Sequence, residues 1–144
     1  MSRESGNELN LSLVLTLART MQALKQRALP LLAVDGLTAG QFDTLKILYQ
    51  TGPLCVKDLL EKTLSTSGNI DVVLGNLLEK KMISKRPDPQ DGRRRIIALT
   101  EKGHSYIEKH FPSHVELLRK LLGALSVAEK QQLKMLLTKL GNKL

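Results

Sequence analysis

Apolar residues recur at steps of three and four near both ends of the chain, which is the spacing of a helix that packs one face against a partner. The N-terminal stripe runs from about residue 9 to residue 32, and the C-terminal stripe follows a capping-box pattern at 126–129. The N-terminal stripe has no partner within its own segment, so we expect it to pack on something else. The leucines that mark the two stripes are Leu13, Leu17, Leu24, Leu133, Leu136 and Leu140.

The middle of the chain carries three shorter helical signals. Thr38 and Gln41 form the pattern of a capping box, which predicts a helix that the Gly-Pro pair at 52–53 ends. A short helix fits residues 56–63, and the hydroxyl-rich segment 64–67 is suited to cap a third helix. That third helix is amphipathic, because its apolar residues follow the steps i, i+3, i+4, i+7 and i+8. They are Ile70, Val73, Leu74, Leu77 and Leu78.

After this helix, the spacing of apolar residues no longer follows the period of a helix, and the pattern becomes that of two strands joined by a turn. Segment 83–86 is short and could form a strand, and segment 95–100 is β-branched and apolar. Between them, residues 87–92 are dense in turn formers. This pattern predicts a two-stranded hairpin.

A long helix is predicted after the hairpin. Thr100 is placed to cap it, and Pro112 should kink it or interrupt it. The full order of elements predicts a mainly α protein with a small β-hairpin wing. We assign a winged helix-turn-helix lobe to residues 34–103.

The charge of the chain points to a polyanionic partner. The net charge is +8 over 144 residues, and the excess is concentrated in one stretch. Such a surface favours nucleic acid or an anionic membrane. The apolar stripes alternate with charges of both signs, and no apolar run approaches the roughly 20 residues of a membrane helix. Double-stranded DNA is therefore favoured and a membrane is not. The basic residues of that one stretch are Lys80, Lys81, Lys85, Arg86, Arg93, Arg94, Arg95 and Lys102.

The amphipathic helix leaves small and polar residues on its outer face, as a helix that enters the major groove requires. Asparagine can pair with an adenine edge, and glycine lets the backbone approach closely. The positive N-terminal end of a helix also favours a phosphate. The predicted base-reading residues are Ser65, Thr66, Ser67, Gly68, Asn69, Val72 and Asn76, with Gly75 adding no bulk.

The hairpin tip carries three consecutive arginines, Arg93, Arg94 and Arg95. Arginine suits narrow minor grooves, where the negative potential is strong. Asp91 lies two residues before Arg93 and is expected to pair with an arginine and fix its direction. Arg86 completes the predicted DNA-binding set.

These residues carry a family resemblance. Residues 91–103, DGRRRIIALTEKG, resemble the wing signature of the MarR family, D-x-R followed by a strand and LTxxG. Residues 77–81, LLEKK, resemble the end of that family's recognition helix, although Met82 stands where the family usually has glycine. Segments 67–70 and 110–114 also resemble the MhqR-like subgroup, which responds to quinones or phenolic compounds.

The resemblance implies a homodimer in which residues 8–32 and 104–144 of two chains form the dimerisation helices. Each recognition helix would enter a major groove and each wing a minor groove, on a pseudo-palindromic operator. Family members are often repressors released by a small ligand held between the dimer helices and the DNA-binding lobe. The resemblance therefore implies a single MarR-like domain over residues 1–144 with a phenolic or other apolar effector.

Two alternative functions stay open, namely a winged-helix module that binds protein without specific DNA binding and an electrostatic membrane-surface protein. The arginine tip follows the predicted recognition helix, which favours DNA. Asn69 and Asn76 could each be ordinary surface residues.

Other chemistry has little support in the sequence. Cys55, the only cysteine, is expected to be a small buried residue, since a redox switch would need an exposed thiol. His104, His110 and His114 lack further ligands for a metal apart from Glu108. No nucleophile–base pair, phosphate loop or paired acid stands out, so we expect no enzyme activity, cofactor or metal. The polar N-terminus and single cysteine predict a cytoplasmic protein.

Overall fold

The structure, a computed structural model, describes residues 5–32, 36–63 and 67–144, and for residues 29–32, 67 and 68 it describes the backbone alone. It contains six helices and three strands within these residues. In chain order they are α1 (Gly6–Leu32), α2 (Ala39–Thr51), β1 (Leu54–Cys55), α3 (Val56–Lys62), α4 (Ser67–Glu79), β2 (Ile83–Pro87), β3 (Arg95–Leu99), α5 (Glu101–Leu121) and α6 (Val127–Gly141).

Contacts divide the chain into two units, Met1–Pro112 and Ser113–Leu144. The division falls at the proline that the sequence marks as a kink or a break. The helix itself is not interrupted there, because α5 continues through Pro112 to Leu121. Of the two alternatives that the sequence offers at Pro112, the interruption of the helix is therefore absent, and the kink stays a prediction.

Local capping sets the beginning of two helices as predicted. At α2 the backbone N–H of Gln41 donates to Thr38 Oγ1 at 3.3 Å, and the backbone N–H of Thr38 donates to Gln41 Oε1 at 3.2 Å. Ser126 and Glu129 make the same reciprocal pair before α6. Gly52 ends α2 with a φ of 81°, a left-handed conformation that glycine adopts without a steric penalty.

The sheet has three strands rather than the two that the sequence predicts. Its order is β1-β3-β2, and both pairs are antiparallel. In the pair that was missed, Leu54 lies opposite Ile97 and Cys55 lies opposite Ile96. A strand of two residues is too short to show an alternating pattern, which is why periodicity does not reveal it.

The core of the first unit is built from the apolar stripes predicted for α2 and α4. Phe42, Leu45 and Leu48 of α2 are buried, as are the inward residues of α4. Ile97 of β3 and Ile107 of α5 close the cluster. The face of α4 that enters the core is thereby fixed, and so is the face that points outward. The inward residues of α4 are Ile70, Val73, Leu74 and Leu77.

α4 ends without the glycine that the family usually has at the position of Met82. The backbone N–H of Met82 donates to the Leu77 carbonyl at 3.0 Å, and that of Lys81 donates to the Leu78 carbonyl at 2.9 Å. These two bonds form a Schellman motif, which requires a left-handed residue in the position that Lys81 occupies with a φ of 58°. A lysine therefore ends this helix, at a steric cost that glycine would avoid.

Three successive carbonyls at this end of α4 are bound by residues at the start of α5. Lys102 Nζ donates to the Lys80 carbonyl at 2.9 Å, and Thr100 Oγ1 donates to the Lys81 carbonyl at 2.6 Å. The backbone N–H of Thr100 donates to the Met82 carbonyl at 3.0 Å. Thr100 also caps α5 as predicted, since its Oγ1 accepts from the backbone N–H of Gly103 at 3.1 Å. We call this set of contacts the α4–α5 junction.

The marker leucines of the terminal helices are poorly covered within the single chain. In α1, Leu13 is 49% exposed, and in α6 Leu136 is 52% exposed. Leu133 and Leu140 are also exposed, while Leu17 and Leu24 are half-buried. No residue of α6 is buried. None of the helices in the described ranges is long and apolar enough to cross a membrane.

Candidate nucleic-acid interface

The outer face of α4 presents three of the predicted base-reading residues in a row. Asn69, Val72 and Asn76 follow one another at steps of three and four, so they lie along one line of the helix. Asn69 is exposed, Val72 is 61% exposed and Asn76 is half-buried. Beside them, a side chain added at Gly75 would meet nothing within 4 Å. This face is open to a large ligand.

The remaining base-reading predictions lie at or before the first turn of α4. Ser67 and Gly68 are in the helix, and for both the structure describes only the backbone. Ser65 and Thr66 lie outside the described residues altogether. Their role in binding DNA stays a prediction.

The wing tip is organised by Asp91, as the sequence predicts. Its Oδ1 accepts from the backbone N–H of Arg93 at 3.1 Å and from Arg93 Nε at 3.2 Å. Its backbone carbonyl accepts from the N–H of Arg94 at 3.0 Å. The side chain of Arg93 stays 93% exposed despite this pairing. Asp91 therefore fixes the direction of Arg93 and leaves its guanidinium accessible.

The hydrogen bonds at the wing tip also set the acidity of Asp91. The backbone N–H of Arg93 is the largest cause that holds the pKa of this carboxyl below its ordinary value of 3.8, and the side chain of Arg93 adds to it. Hydrogen bonds to a carboxylate favour its charged form.

Because the pKa is lowered in the folded protein, the contribution of Asp91 to the order of the wing is complete above pH 3.8 and is lost as the pH falls through the lowered value. We expect an NMR titration to place the Asp91 carboxyl below the usual aspartate range. In an Arg93→Ala chain the pKa should move only part of the way back, because the backbone donor remains. An Asp91 pKa at the ordinary value in the unmodified chain would contradict this assignment.

The strand register decides on which side of the sheet each basic residue lies. Lys85 is paired with Ile97 and Arg86 with Ile96, and directly opposed residues share a face. Arg95 is two residues from Ile97 and therefore lies on the same side as Lys85. Arg86 lies on the other side, so the structure does not place it with the three arginines of the tip.

A cleft of about 340 Å³ lies between the wing and the helices of the lobe. Five cationic residues line it: Lys57 of α3, Lys85 of β2, and Arg93, Arg94 and Arg95. Asp71 of α4 is its one acidic residue, and Cys55 and Val56 complete the lining. We call it the cationic cleft. Sequence reasoning did not single out Lys57 or Asp71, because an isolated charge on a short segment gives no signal.

The remaining candidate groups are placed as follows. Cys55 is 7% exposed, which confirms the prediction of a small buried residue. His104 Nδ1 lies 3.7 Å from Glu108 Oε2, one helical turn away. Across the described ranges, no three His, Cys, Asp or Glu side chains are grouped so that they could hold a metal ion.

A short helix, an amphipathic helix with an open outer face and an arginine-tipped hairpin define a winged-helix DNA-binding protein. A protein-family model described as MarR family matches residues 37–94. The chain belongs to the MarR family. Staphylococcus aureus MepR, whose structure is solved in complex with DNA, is 31% identical to it. That comparison covers 91% of this chain and 97% of MepR, with a TM-score of 0.79.

Curated relatives agree with this assignment. The HTH-type transcriptional regulator MhqR of Bacillus subtilis is 26% identical over 93% of this chain and 92% of its own length. The HTH-type transcriptional repressor NicR of Pseudomonas putida is 29% identical over 72% of this chain and 66% of its own length. The chain is accordingly a DNA-binding transcriptional regulator, and the relatives are regulators rather than enzymes.

Proposed function

We propose that the protein is a homodimeric repressor that binds a pseudo-palindromic operator and leaves it when a small apolar or phenolic effector binds. The observation that best supports operator binding is the combination of an open outer face on α4 with a wing tip held in shape by Asp91. A face with two asparagines offers bidentate contacts to adenine, and exposed arginines suit a minor groove.

The proposed base-reading set keeps all the residues that the sequence suggests for α4 and the turn before it. Asn69 and Asn76 supply hydrogen bonds, and the exposed Val72 supplies an apolar contact for a thymine methyl group. Ser65, Thr66, Ser67 and Gly68 lie nearest the N-terminal end of α4, where a phosphate is favoured. Arg86, on the other side of the sheet from Lys85, is assigned a contact with the DNA backbone.

Dimerisation is supported by the apolar surface that a single chain leaves uncovered. Burying apolar area contributes about 25 cal/mol per Å², so a row of half-exposed leucines is a strong reason to associate. In the second unit, four leucines line an apolar groove of about 430 Å³. We assign 8–32 and 104–144 to dimerisation and 34–103 to the DNA-binding lobe. The four leucines are Leu122, Leu125, Leu133 and Leu137.

The proposal of repression is supported by the name of a relative, and the proposal of effector release is supported by a group of aromatic rings. NicR carries the name of a repressor. Tyr49 of α2 lies 5.3 Å from the His104 ring and 5.5 Å from the Phe111 ring, both of α5. Tilted rings at such distances attract one another and can also accept a further ring. An aromatic effector would bind here, where the lobe meets the segment that we assign to dimerisation.

Operator binding is tested by titrating the protein against DNA from upstream of its own gene. We expect that fragment to bind at least about 1000-fold more tightly than shuffled DNA of equal length, the lower end of the usual range for specific binding. Binding of every fragment with equal affinity would contradict the proposal. It would instead favour a winged-helix module that binds protein without specific DNA binding.

Replacing Arg93 with alanine should weaken operator binding by about ten-fold, the effect of losing one good arginine contact. The protein should stay folded, because the Arg93 side chain is 93% exposed. Fluorescence anisotropy with labelled operator measures the change. Arg119→Ala is the matched control. It also replaces one arginine with alanine, but the Arg119 side chain is bound by Glu116 at 2.7 Å and lies outside the wing. Equal affinities of the two variants would refute the wing assignment.

A further inference from the structure

We propose that the cationic cleft holds one phosphate of the DNA strand that separates the major groove read by α4 from the minor groove read by the wing. Lys57 and Lys85 are its ligands, and Asp71 limits how tightly it binds. The proposal rests on the proposed function, because it takes α4 and the wing as the two DNA-reading elements.

The position of the cleft carries the argument. Asp71, on α4, lines one side, and the wing-tip arginines line another. A helix in the major groove and a hairpin in the adjacent minor groove necessarily lie on either side of one sugar-phosphate strand. That strand has to cross the space between α4 and the wing, which is where the cleft lies.

The arrangement of residues on the sheet explains why cationic side chains converge at the cleft. Ile83 and Ile97 are buried on the core-facing side of the sheet, and the next residues on that side toward the wing tip are Lys85 and Arg95. The same face of the sheet thus changes from apolar to cationic where it leaves the core. Lys57, near the start of α3, faces the same space.

The charges in the cleft are not neutralised from within. Among the described residues, the acid that pairs with a wing arginine is Asp91, which lies 3.2 Å from Arg93 Nε and leaves the side chain of Arg93 93% exposed. No ion pair within 4.0 Å joins Lys57, Lys85 or Asp71 to another described residue. Five cationic residues against one acid leave a strongly positive space, and both lysines are exposed at its rim.

Lysine suits this task because its ammonium group is a compact point charge that does not demand a fixed approach. Contacts to phosphate set the register of a protein on DNA and carry no sequence information. Asp71 acts in the opposite sense, because its carboxylate repels the phosphate. It lowers the affinity for all DNA sequences by a similar factor.

The test compares Lys57→Ala and Lys85→Ala with the unmodified protein on operator and on random DNA over a range of salt concentrations. Each variant should reduce the slope of log affinity against log salt by about 0.9, the value for one phosphate contact. At 0.1 M salt this corresponds to about eight-fold weaker binding, if the effect vanishes near 1 M. The ratio of operator to random affinity should not change. Asp71→Asn should strengthen binding to both DNAs equally.

Lys46→Ala is the matched control and should leave the slope unchanged, because it removes a lysine of α2 that Asp43 binds at 2.8 Å and that belongs to neither the proposed DNA-binding set nor the proposed dimerisation helices. An unchanged slope in both cleft variants would overturn the proposal. So would a changed operator-to-random ratio, because it would mean that the lysines read bases. If the unmodified protein showed no operator preference, the operator proposal would fail alone, and the slopes on random DNA would still decide the role of the cleft.

Discussion

Replacing Gly103 with alanine is expected to unfold the lobe at temperatures where the unmodified protein is stable. A Cβ at this position would lie 2.0 Å from the Met82 carbonyl oxygen and 2.9 Å from its carbonyl carbon. Both atoms belong to the backbone of the α4–α5 junction, so no side chain can move aside. Overpacking of this kind costs about 3 kcal/mol or more when the neighbours cannot shift. The melting temperature should fall by about 10 °C or more.

Gly75→Ala is the matched control, because Gly75 is also helical and an added Cβ would meet nothing within 4 Å. It should stabilise the protein by up to about 1 kcal/mol, the difference in helix propensity between the two residues. Thermal unfolding followed by circular dichroism measures both variants. A Gly103→Ala protein that melts within about 2 °C of the unmodified chain would show that the junction is not packed as described.

The second large effect is expected from Leu136→Glu in α6. Leu136 is 52% exposed in the single chain, so a charged residue there costs little within one chain. In the proposed dimer it would bury an unpaired carboxylate, and association should fail. A monomer engages one half-site, so operator affinity should fall by about 100-fold or more. Sedimentation velocity and operator titration measure the two consequences.

Gln131→Glu introduces the same carboxylate on the opposite side of α6, since Gln131 is turned by about 160° from Leu133 and from the stripe that contains Leu136. It should stay dimeric and bind the operator normally. If Leu136→Glu also stayed dimeric at micromolar concentration, this face of α6 would not form the interface. The dimer would then have to be assigned to α1 or to another surface.

The helices of this protein were predictable because their signals are local. The box of Thr38 with Gln41 and the box of Ser126 with Glu129 are complete within four residues, so the sequence alone shows where α2 and α6 begin. The apolar stripe of α4 is equally local, and it correctly identified the residues that point inward. Asp91 and Arg93 are two residues apart, which made their pairing predictable as well.

Other features depend on contacts between distant segments and were not predictable. β1 exists because Leu54 and Cys55 pair with β3, some 40 residues further along the chain. The cationic cleft collects Lys57, Asp71 and Lys85 from three separate elements, and a count of charges does not show which side chains converge. The left-handed Lys81 is likewise fixed by bonds that surrounding residues make, and not by its own preference.

The α4–α5 junction has a mechanical consequence for the induction that we propose. The three residues that follow α4 are bonded to the start of α5 through their consecutive carbonyls, and an added Cβ at Gly103 would lie directly against the third of them. α4 therefore cannot slide or rotate on its own, because doing so would leave several backbone groups unsatisfied at once. A displacement of the first turn of α5 moves α4 with it. In the proposed release from DNA we expect the lobe to tilt as one piece, so mutations that block the proposed induction should arise along α5 rather than among the residues that we assign to base contacts.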